Sequence, residues 1–252
     1  MSRPTEQPTE QPLRVASWNI RDLTGDPEAV RSVLRRLEAD LVCLQEAPRR
    51  PGAVPLRVLP LARAIGMRMI SGGRGSGGTA VLAGSRVQVL QAQVRRLPVR
   101  TWYTRTRGVS LAAIRIDAGA AAWETAVASL HLPLTREQRL LHAELIGKTL
   151  ADGGGALREL VGTGRVIVAG DFNEPPVAPG WARLTGMVAD PDPESSPTFP
   201  ARSPGVRLDA VLIGSGLSKV SYGSGSVPAG LLRRASDHLP VLCEIVPASV
   251  GR

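Results

Sequence analysis

The sequence has 252 residues, of which 43% are hydrophobic and 21% charged, and it carries a formal net charge of +9. This length and composition are typical of a globular protein with a large core, and no stretch approaches the roughly 18 to 20 apolar residues of a membrane-spanning helix. Residues 1–12 are polar, repeat Thr-Glu-Gln-Pro and lack the apolar segment of a secretory signal, so we expect a disordered leader there.

The cysteines and the basic residues give two further expectations. Cys43 and Cys243 each lie in an apolar, strand-like segment, which indicates small buried hydrophobic residues in a cytoplasmic protein and no zinc or redox site. The positive charge comes almost entirely from arginine, since only Lys148 and Lys219 are lysines. A basic balance favours anionic partners such as phosphates or nucleic acid, and a compositional bias of the coding sequence is the alternative explanation.

The first predicted elements are a strand, a helix and a second strand. Residues 13–20 alternate apolar and polar side chains and present Asn19 at the end of the strand. Asp26 is the expected N-cap of the helix, with proline at the first helical position. Residues 40–45 form a buried strand that is followed by Glu46. This order indicates an α/β or α+β domain.

The next part of the chain has little regular pattern. Residues 48–60 are rich in proline and arginine, and we expect an irregular loop. The glycine-rich segment 71–78 lacks the Gly-Lys-Ser/Thr ending of a phosphate-binding loop and precedes a strand, so we expect a flexible connection. Residues 86–97 are predicted to form a further strand.

A basic and aromatic patch follows this strand. Its members are Arg95, Arg96, Arg100, Trp102, Tyr103, Arg105 and Arg107. Such a patch can hold phosphates or stack on bases, and it is equally consistent with a solvated hairpin.

Residues 109–116 and 125–130 are predicted to pair as antiparallel strands, the second of which ends at His131. A helix then begins with Thr135 as N-cap and glutamine three residues later, the pattern of a capping box. His142 lies inside this helix, and we interpret it as an ordinary surface or core residue.

The most informative segment is the apolar strand at residues 166–169. Asp171 and Asn173 follow it two residues apart, after a glycine that lets the backbone turn. An acid and an amide at the end of a buried strand are well placed to act on a ligand. The alternative is a plain turn, because Asp and Asn also bond to their own backbone.

In the C-terminal quarter we expect a Pro/Ser-rich loop at residues 190–204, which contains Thr198 and Phe199, and a strand at residues 207–213. A Gly/Ser-rich stretch at residues 215–234 stays unassigned, and a last strand is predicted at residues 241–246. Asp209 lies near the start of the first of these strands. Asp237 and His238 directly precede the second.

Polar residues thus lie at the ends of the predicted apolar strands throughout the chain. They are Asn19, Glu46, His131, Asp171, Asn173, Asp209, Asp237 and His238. Unpaired charges beside apolar segments are costly, so these residues need a shared purpose, and a hard divalent cation with an anionic ligand provides one. Oxygen ligands without cysteine suit Mg²⁺ or Mn²⁺ better than zinc.

In this order and context the motifs resemble those of the endonuclease/exonuclease/phosphatase superfamily. They are Trp18-Asn19-Ile20, Leu44-Gln45-Glu46, Ser129-Leu130-His131-Leu132, Gly170-Asp171-Phe172-Asn173, Arg207-Leu208-Asp209-Ala210-Val211 and Ser236-Asp237-His238-Leu239-Pro240-Val241. The resemblance implies an α/β (α+β) fold of the deoxyribonuclease I type. We therefore expect a four-layer α-β-β-α sandwich of two packed mixed or antiparallel sheets with helices outside, in a single catalytic domain over residues 13–248.

The resemblance also implies a metal site and a histidine–aspartate pair. Glu46 corresponds to the main metal ligand, with Asn19 and Asp237 close by. The ion would neutralise the charge of the phosphate. His238, held by Asp209, corresponds to a pair that acts as general base or stabilises the pentavalent phosphorus, since the carboxylate orients the imidazole and favours its cation.

The remaining family positions carry polar roles around the phosphate. His131 would lie opposite His238, as a hydrogen-bond donor or general acid. Asp171 and Asn173 would orient the attacking water and a phosphate oxygen, and Arg107 would contact the phosphate. Asp171 and His238 are both candidates for the base that deprotonates water.

One position departs from the family pattern. Some members have an additional aspartate ligand two residues after the equivalent of Asn19, where this chain has Arg21. Asp22 is one residue further on and would face the other way on a strand. One- and two-metal schemes therefore both stay open.

These expectations describe a cytoplasmic, Mg²⁺-dependent phosphoester hydrolase of the phosphodiesterase or nuclease type, with Mn²⁺ as the alternative ion and no obligate protein partner. It would cleave P–O bonds by in-line attack of an activated water. The net charge and the basic patch favour a nucleic-acid substrate, whereas the aromatic content of 3% favours a small-molecule or lipid phosphoester. A catalytically inactive anion-binding protein is the third hypothesis.

Overall fold

The computed structural model describes residues 11–48, 54–99, 106–119 and 122–249. Eleven strands lie in this part of the chain: β1 (Leu13–Asn19), β2 (Leu41–Gln45), β3 (Arg68–Gly72), β4 (Ala80–Ala83), β5 (Val87–Leu97), β6 (Arg107–Asp117), β7 (Ala122–His131), β8 (Val166–Asp171), β9 (Asp209–Ile213), β10 (Leu217–Gly223) and β11 (Val241–Pro247). The α-helices in the same part are α1 (Pro27–Leu37), α2 (Val54–Ala64), α3 (Arg136–Ala151), α4 (Gly155–Gly162), α5 (Pro179–Ala182) and α6 (Ala229–Ala235).

The strands form two sheets. The six-stranded sheet has the order β10-β11-β1-β2-β4-β3, and the five-stranded sheet has the order β5-β6-β7-β8-β9. Each sheet contains one parallel pair, β1 with β2 and β7 with β8, and the other neighbours are antiparallel. The carboxyl ends of both strands of a parallel pair meet at one edge of their sheet.

Three apolar layers hold the two sheets and the helices together. Side chains of both sheets, such as Val15 and Ile167, pack in the layer between them. Helices α1, α2 and α6 cover the outer face of the six-stranded sheet, where Trp18 is fully buried. Helices α3, α4 and α5 cover the outer face of the five-stranded sheet, and Ile146 and Val168 share that layer. The predicted α-β-β-α sandwich is confirmed.

Helices α1 and α3 begin at the predicted N-cap residues, but the predicted cap hydrogen bond forms only in α1. Asp26 caps α1, and its side chain accepts hydrogen bonds from the backbone N–H groups of Glu28 and Ala29. Thr135 is the N-cap residue of α3, but its side chain makes no cap hydrogen bond, so the predicted capping box does not form.

The predicted loop at residues 48–60 is wrong from Val54 onward, where α2 begins. Its first proline, Pro55, lies in the first helical turn, where no backbone N–H is needed. Pro60 lies inside the helix. Val58 and Leu61 are buried against the six-stranded sheet, and this burial outweighs the unfavourable interior proline.

The predicted flexible connection is also wrong. We call Gly72–Gly78 the glycine loop, and its last three residues, Ser76 to Gly78, are buried. An ideal Cβ atom placed on Gly77 would lie 2.1 Å from the backbone nitrogen of Gly108, so glycine is required for this close packing against β6. The absence of side chains here permits close contact between two backbones.

The Gly/Ser-rich stretch 215–234, to which we assigned no element from the sequence, contains β10 and all but the last residue of α6. β10 is the edge strand of the six-stranded sheet and pairs with β11. In this strand Leu217 is the single buried residue and Tyr222 is partly buried, so the strand has few of the apolar side chains by which an internal strand is recognised.

Cys43 and Cys243 are buried, neither forms a disulfide, and both pack in the layer between the sheets, as expected for small hydrophobic residues. Burial raises the pKa of each thiol to about 12. In the described part of the chain, no helix has both the length and the apolar character required to cross a membrane.

Candidate active site

A pocket of about 410 Å³ lies at the edge where the two parallel strand pairs end. Its lining is Asn19, Arg21, Asp22, Thr24, Glu46, Arg107, His131, Leu134, Asp171, Asn173, Phe199, Asp237 and His238. Eight of the nine site residues proposed from the sequence are in this lining. The ninth, Asp209, lies behind His238 and is fully buried.

A larger cleft, of about 550 Å³, lies at the opposite end of the five-stranded sheet. Glu124, Glu159 and Arg165 are the charged residues of its lining, and no histidine or amide side chain joins them. We therefore assign the chemistry to the smaller pocket, where acids, amides, imidazoles and a guanidinium group meet.

Both sheets contribute to the pocket, and strand register brings their residues together. In the five-stranded sheet, Asp171 pairs with His131 of β7 on one side and with Asp209 of β9 on the other. In the six-stranded sheet, Asn19 pairs with Gln45, so that the next residue, Glu46, leaves the sheet beside it. The site exists only where the two sheets pack against each other.

Asp171 is at the centre of the polar contacts. Asn19 Nδ2 donates to its Oδ2 at 3.0 Å, and the backbone N–H of Asn173 donates to its Oδ1 at 2.9 Å. The Nε2 atoms of His131 and His238 lie 3.4 and 3.9 Å from Oδ2. Burial raises the pKa of Asp171 to about 7, and the charge of Asp209 adds to this effect.

His238 is held on two sides. Its Nδ1 lies 2.9 Å from Asp209 Oδ2, and its carbonyl oxygen accepts a hydrogen bond from Trp18 Nε1 at 2.9 Å. Burial alone lowers the pKa of the imidazole, but the charge and hydrogen bond of Asp209, with the charges of Asp171 and Asp237, outweigh burial and raise it to about 9. The ring is therefore cationic at neutral pH.

His131 lies on the other side of the pocket among nitrogen donors. Asn173 Nδ2 is 2.9 Å from His131 Nε2 and also donates to the carbonyl oxygen of Leu132 at 2.8 Å. Arg107 Nη2 lies 3.4 Å from the same Nε2, and the buried Arg107 side chain is part of the pocket lining. Asn173 has a φ of 52°, in the left-handed region, which turns its amide back toward His131.

The expected orientation of Asp22 was wrong. β1 ends at Asn19, and Arg21–Leu23 form a 3₁₀ turn whose residues all have φ near 50°. This turn brings Asp22 into the pocket lining, and its backbone N–H donates to the carbonyl oxygen of Glu46 at 2.8 Å. Glu46 also has a left-handed φ of 49°. Across the pocket mouth, Arg21 Nε lies 3.5 Å from Asp237 Oδ2.

Thr198 and Phe199 were noted only as loop residues, and both contact the His238–Asp209 pair. The Phe199 ring packs against the His238 ring at an interplanar angle of 45°, with 4.8 Å between centroids. Thr198 Oγ1 accepts the backbone N–H of Asp209 at 3.2 Å, and its carbonyl oxygen accepts that of Leu239 at 2.8 Å. No periodic pattern marks these residues. Their place in the chain, shortly before the Asp209 strand, is the signal that the sequence offers.

The candidate metal ligands divide into two groups. One group of three possible metal-ligating side chains occurs among the described residues, with ligand atoms within 4.8 Å of one another. It consists of Asp171, Asp209 and His238. The Nδ1 of His238 is already hydrogen bonded to Asp209, and its Nε2 lies 3.9 Å from Asp171 Oδ2, so we interpret this trio as an electrostatically coupled group. Glu46 and Asp237 are partly exposed in the same pocket and offer oxygen ligands of the kind that Mg²⁺ prefers.

Residues 16–238 match the model of the Endonuclease/Exonuclease/phosphatase family. No match was found among curated proteins.

Solved structures share the fold at low identity. An endonuclease/exonuclease/phosphatase from Bacteroides vulgatus is 18% identical, covers 94% of this chain and 99% of its own, and superposes with a TM-score of 0.75. A mannosyl-6-phosphatase of Bacteroides thetaiotaomicron is 20% identical, covers 93% of this chain and 99% of its own, and has a TM-score of 0.72. TDP2 of D. rerio, complexed with a single-strand DNA product, is 19% identical, covers 93% of this chain and 99% of its own, and has a TM-score of 0.66. Because the family model spans most of the chain, the protein belongs to the endonuclease/exonuclease/phosphatase family of phosphoester hydrolases.

Proposed function

We propose that this protein is a divalent-metal-dependent phosphoester hydrolase, of the phosphodiesterase or nuclease type, that cleaves P–O bonds by attack of water. The observation that carries the proposal is the pocket at the sheet edges, which combines a guanidinium group, two imidazoles and several carboxylates. Positive groups that face one small volume stabilise the negative charge of a phosphate in its transition state.

The residues of the pocket fit a magnesium ion. Glu46, Asp237 and the side-chain oxygen of Asn19 would hold it, and Asp22 adds a further carboxylate on the same side of the pocket. All of these donors are oxygen atoms, which Mg²⁺ and Mn²⁺ prefer. When bound, the ion supplies neutralisation of charge on the phosphate.

The geometry supports Asp171 as the acceptor of the proton from water. Its carboxylate is oriented by Asn19 and Asn173, and it lies between the Nε2 atoms of the two pocket histidines. His238, with Asp209 behind it, is suited to act as a cation that stabilises charge on the phosphate. This assignment favours Asp171 over His238 as general base.

His131 and Arg107 would form the opposite wall. The Nε2 of His131 lies 2.9 Å from Asn173 Nδ2 and 3.4 Å from Arg107 Nη2, so the ring would hold both groups in place. Arg107 would then contact a phosphate oxygen. A bidentate guanidinium suits this position better than a lysine ammonium group would.

Two substrate classes fit the pocket. The net charge of +9 and the exposed Arg21 at the pocket mouth favour a nucleic acid, since arginines near the site attract a polyanion. Among the described lining residues, Phe199 is the single aromatic side chain apart from the histidines, which leaves little surface for base stacking. That observation favours the alternative, a small-molecule or lipid phosphoester.

A substrate panel tests both proposals. The purified protein is incubated with bis-p-nitrophenyl phosphate, p-nitrophenyl phosphate, plasmid DNA and single-stranded DNA, with Mg²⁺ or with EDTA. Hydrolysis that EDTA abolishes supports the metal-dependent hydrolase. Plasmid nicking that falls steeply with salt supports the nuclease, whereas cleavage of the small diester alone supports the alternative. Activity that is unchanged in EDTA, or no turnover of any substrate, contradicts the proposal.

A further inference from the structure

The glycine loop touches both halves of the pocket from behind. On the side of the six-stranded sheet, the backbone N–H of Ala47, the residue after Glu46, donates to the carbonyl oxygen of Gly78 at 2.8 Å. On the other side, the backbone of Gly77 packs against that of Arg107 and Gly108. The loop therefore links the candidate metal ligand of one sheet to the candidate phosphate ligand of the other.

The contact with β6 is too close for any side chain. An ideal Cβ atom on Gly77 would lie 2.1 Å from Gly108 N and 2.6 Å from Arg107 Cα. A Cβ atom on Gly108 would lie 2.4 Å from the carbonyl oxygen of Gly75. Two glycines 31 positions apart in the chain thus allow the backbones to meet directly next to Arg107.

Side-chain hydrogen bonds of Ser76, Thr79 and Ser110 fix the loop in place. Ser76 Oγ donates to Gly73 O at 2.9 Å, and Thr79 Oγ1 donates to Ser76 O at 2.8 Å. The hydroxyls of Thr79 and Ser110 lie 2.9 Å apart, and Ser110 Oγ donates to Thr79 O at 3.1 Å. Ser110 is on β6, three residues after Arg107, so these bonds tie the end of the loop to the strand that begins at Arg107.

We infer that the glycine loop is a positioning element that sets Arg107 at the correct distance from Glu46 to bind phosphate, with Gly77 and Gly108 as positioning residues. The inference rests on the proposed function, because it takes Arg107 as the phosphate ligand. No residue of the loop is in the pocket lining, so the loop acts through Arg107 and does not itself cradle the phosphate.

The chain offers a matched control for a substitution at Gly77. Gly77 has a φ of 66°, and Gly66, in the turn before β3, has a φ of 73° with nothing within 4 Å of a built Cβ atom. Gly77→Ala and Gly66→Ala therefore carry the same left-handed backbone penalty, and only Gly77→Ala adds the contact with β6. Each is made in the wild-type and the Arg107→Ala backgrounds.

The readout is the dissociation constant for inorganic phosphate, measured by calorimetry, together with KM for bis-p-nitrophenyl phosphate. We expect Arg107→Ala to weaken phosphate binding by roughly 10- to 100-fold, as for a lost charge-assisted hydrogen bond. Gly77→Ala should weaken it by about tenfold in the wild-type background and by much less once Arg107 is absent. Gly66→Ala should leave phosphate binding unchanged.

Two outcomes would overturn the inference, and they are distinguishable. If Arg107→Ala binds phosphate normally, the proposed role of Arg107 is wrong, and the role of the loop is wrong with it. If Arg107→Ala is impaired but Gly77→Ala has the same effect in both backgrounds, the loop is merely structural. Should Gly77→Ala not fold, Thr79→Val removes the hydroxyl contact with Ser110 at nearly constant volume. It must then raise the phosphate dissociation constant only while Arg107 is present.

Discussion

Replacement of Asp209 by asparagine tests the buried charge pair on which the site depends. Asp209 is fully buried, and asparagine keeps its size and the backbone hydrogen bond to Thr198 while it removes the negative charge beside His238. The pKa of His238, about 9 compared with an ordinary 6.5, corresponds to about 3 kcal/mol in favour of the cation. Without Asp209 the burial of the ring opposes its charge, so this pKa should fall toward 6.5.

The same substitution also removes the Asp209 charge that, after burial, raises the pKa of Asp171. We expect a loss of about 10²-fold in kcat at pH 7.5, where the variant's imidazole is largely neutral. The assay is an NMR titration of the histidine rings in metal-free protein, with His142 as the internal reference. A His238 pKa that stays near 9 in Asp209→Asn would refute the reasoning.

Four further changes have defined outcomes. Glu46→Gln should lower kcat/KM by orders of magnitude and weaken Mg²⁺ binding in calorimetry with an unchanged melting temperature in EDTA; full activity at saturating Mg²⁺ would remove Glu46 from the metal site. Phe199→Ala should reduce kcat by about tenfold and change KM little, because the ring supports His238; the reverse pattern in steady-state kinetics would make it a substrate contact. His142→Ala should lower the free energy of unfolding by about 2 kcal/mol, since this buried ring contacts a backbone carbonyl, yet leave kcat of the folded enzyme unchanged; a lost kcat would place it in the chemistry. In EDTA, Asp171 and His238 bind protons more tightly in the folded than in the unfolded protein, so they stabilise the fold at low pH. The contribution of Asp171 is lost as pH rises from about 4 through 7, and that of His238 as pH rises from 6.5 through about 9. A free energy of unfolding in urea that is independent of pH over these ranges would contradict this expectation.

The sheets and their ends were predictable because the signal is local. Buried strands read as continuous apolar segments, and a polar residue directly after such a segment, as at Glu46 and His131, marks the sheet edge. Parallel neighbours such as β7 and β8 then bring their ends together. The pairing of β1 with β11 was not readable in this way, since it joins residues more than 220 positions apart.

The errors share a physical cause, which is that the decisive partner lies far away in sequence. Asp22 was placed wrongly because three consecutive residues without glycine adopt left-handed φ values, a conformation that no local pattern predicts. The glycine loop looked flexible because its partner is Gly108, on another strand. Phe199 lies in a loop without periodicity, and only the folded chain shows it against His238.

The position of β1 between β11 and β2 has a consequence for biosynthesis. A ribosome releases β1 first, but the central strand of the six-stranded sheet then has one edge uncovered until the last strand emerges. Asp237 and His238 leave the exit tunnel just ahead of that strand. A nascent chain is therefore expected to stay inert toward phosphoesters, and open to chaperones at its uncovered edge, until β11 has emerged and paired with β1.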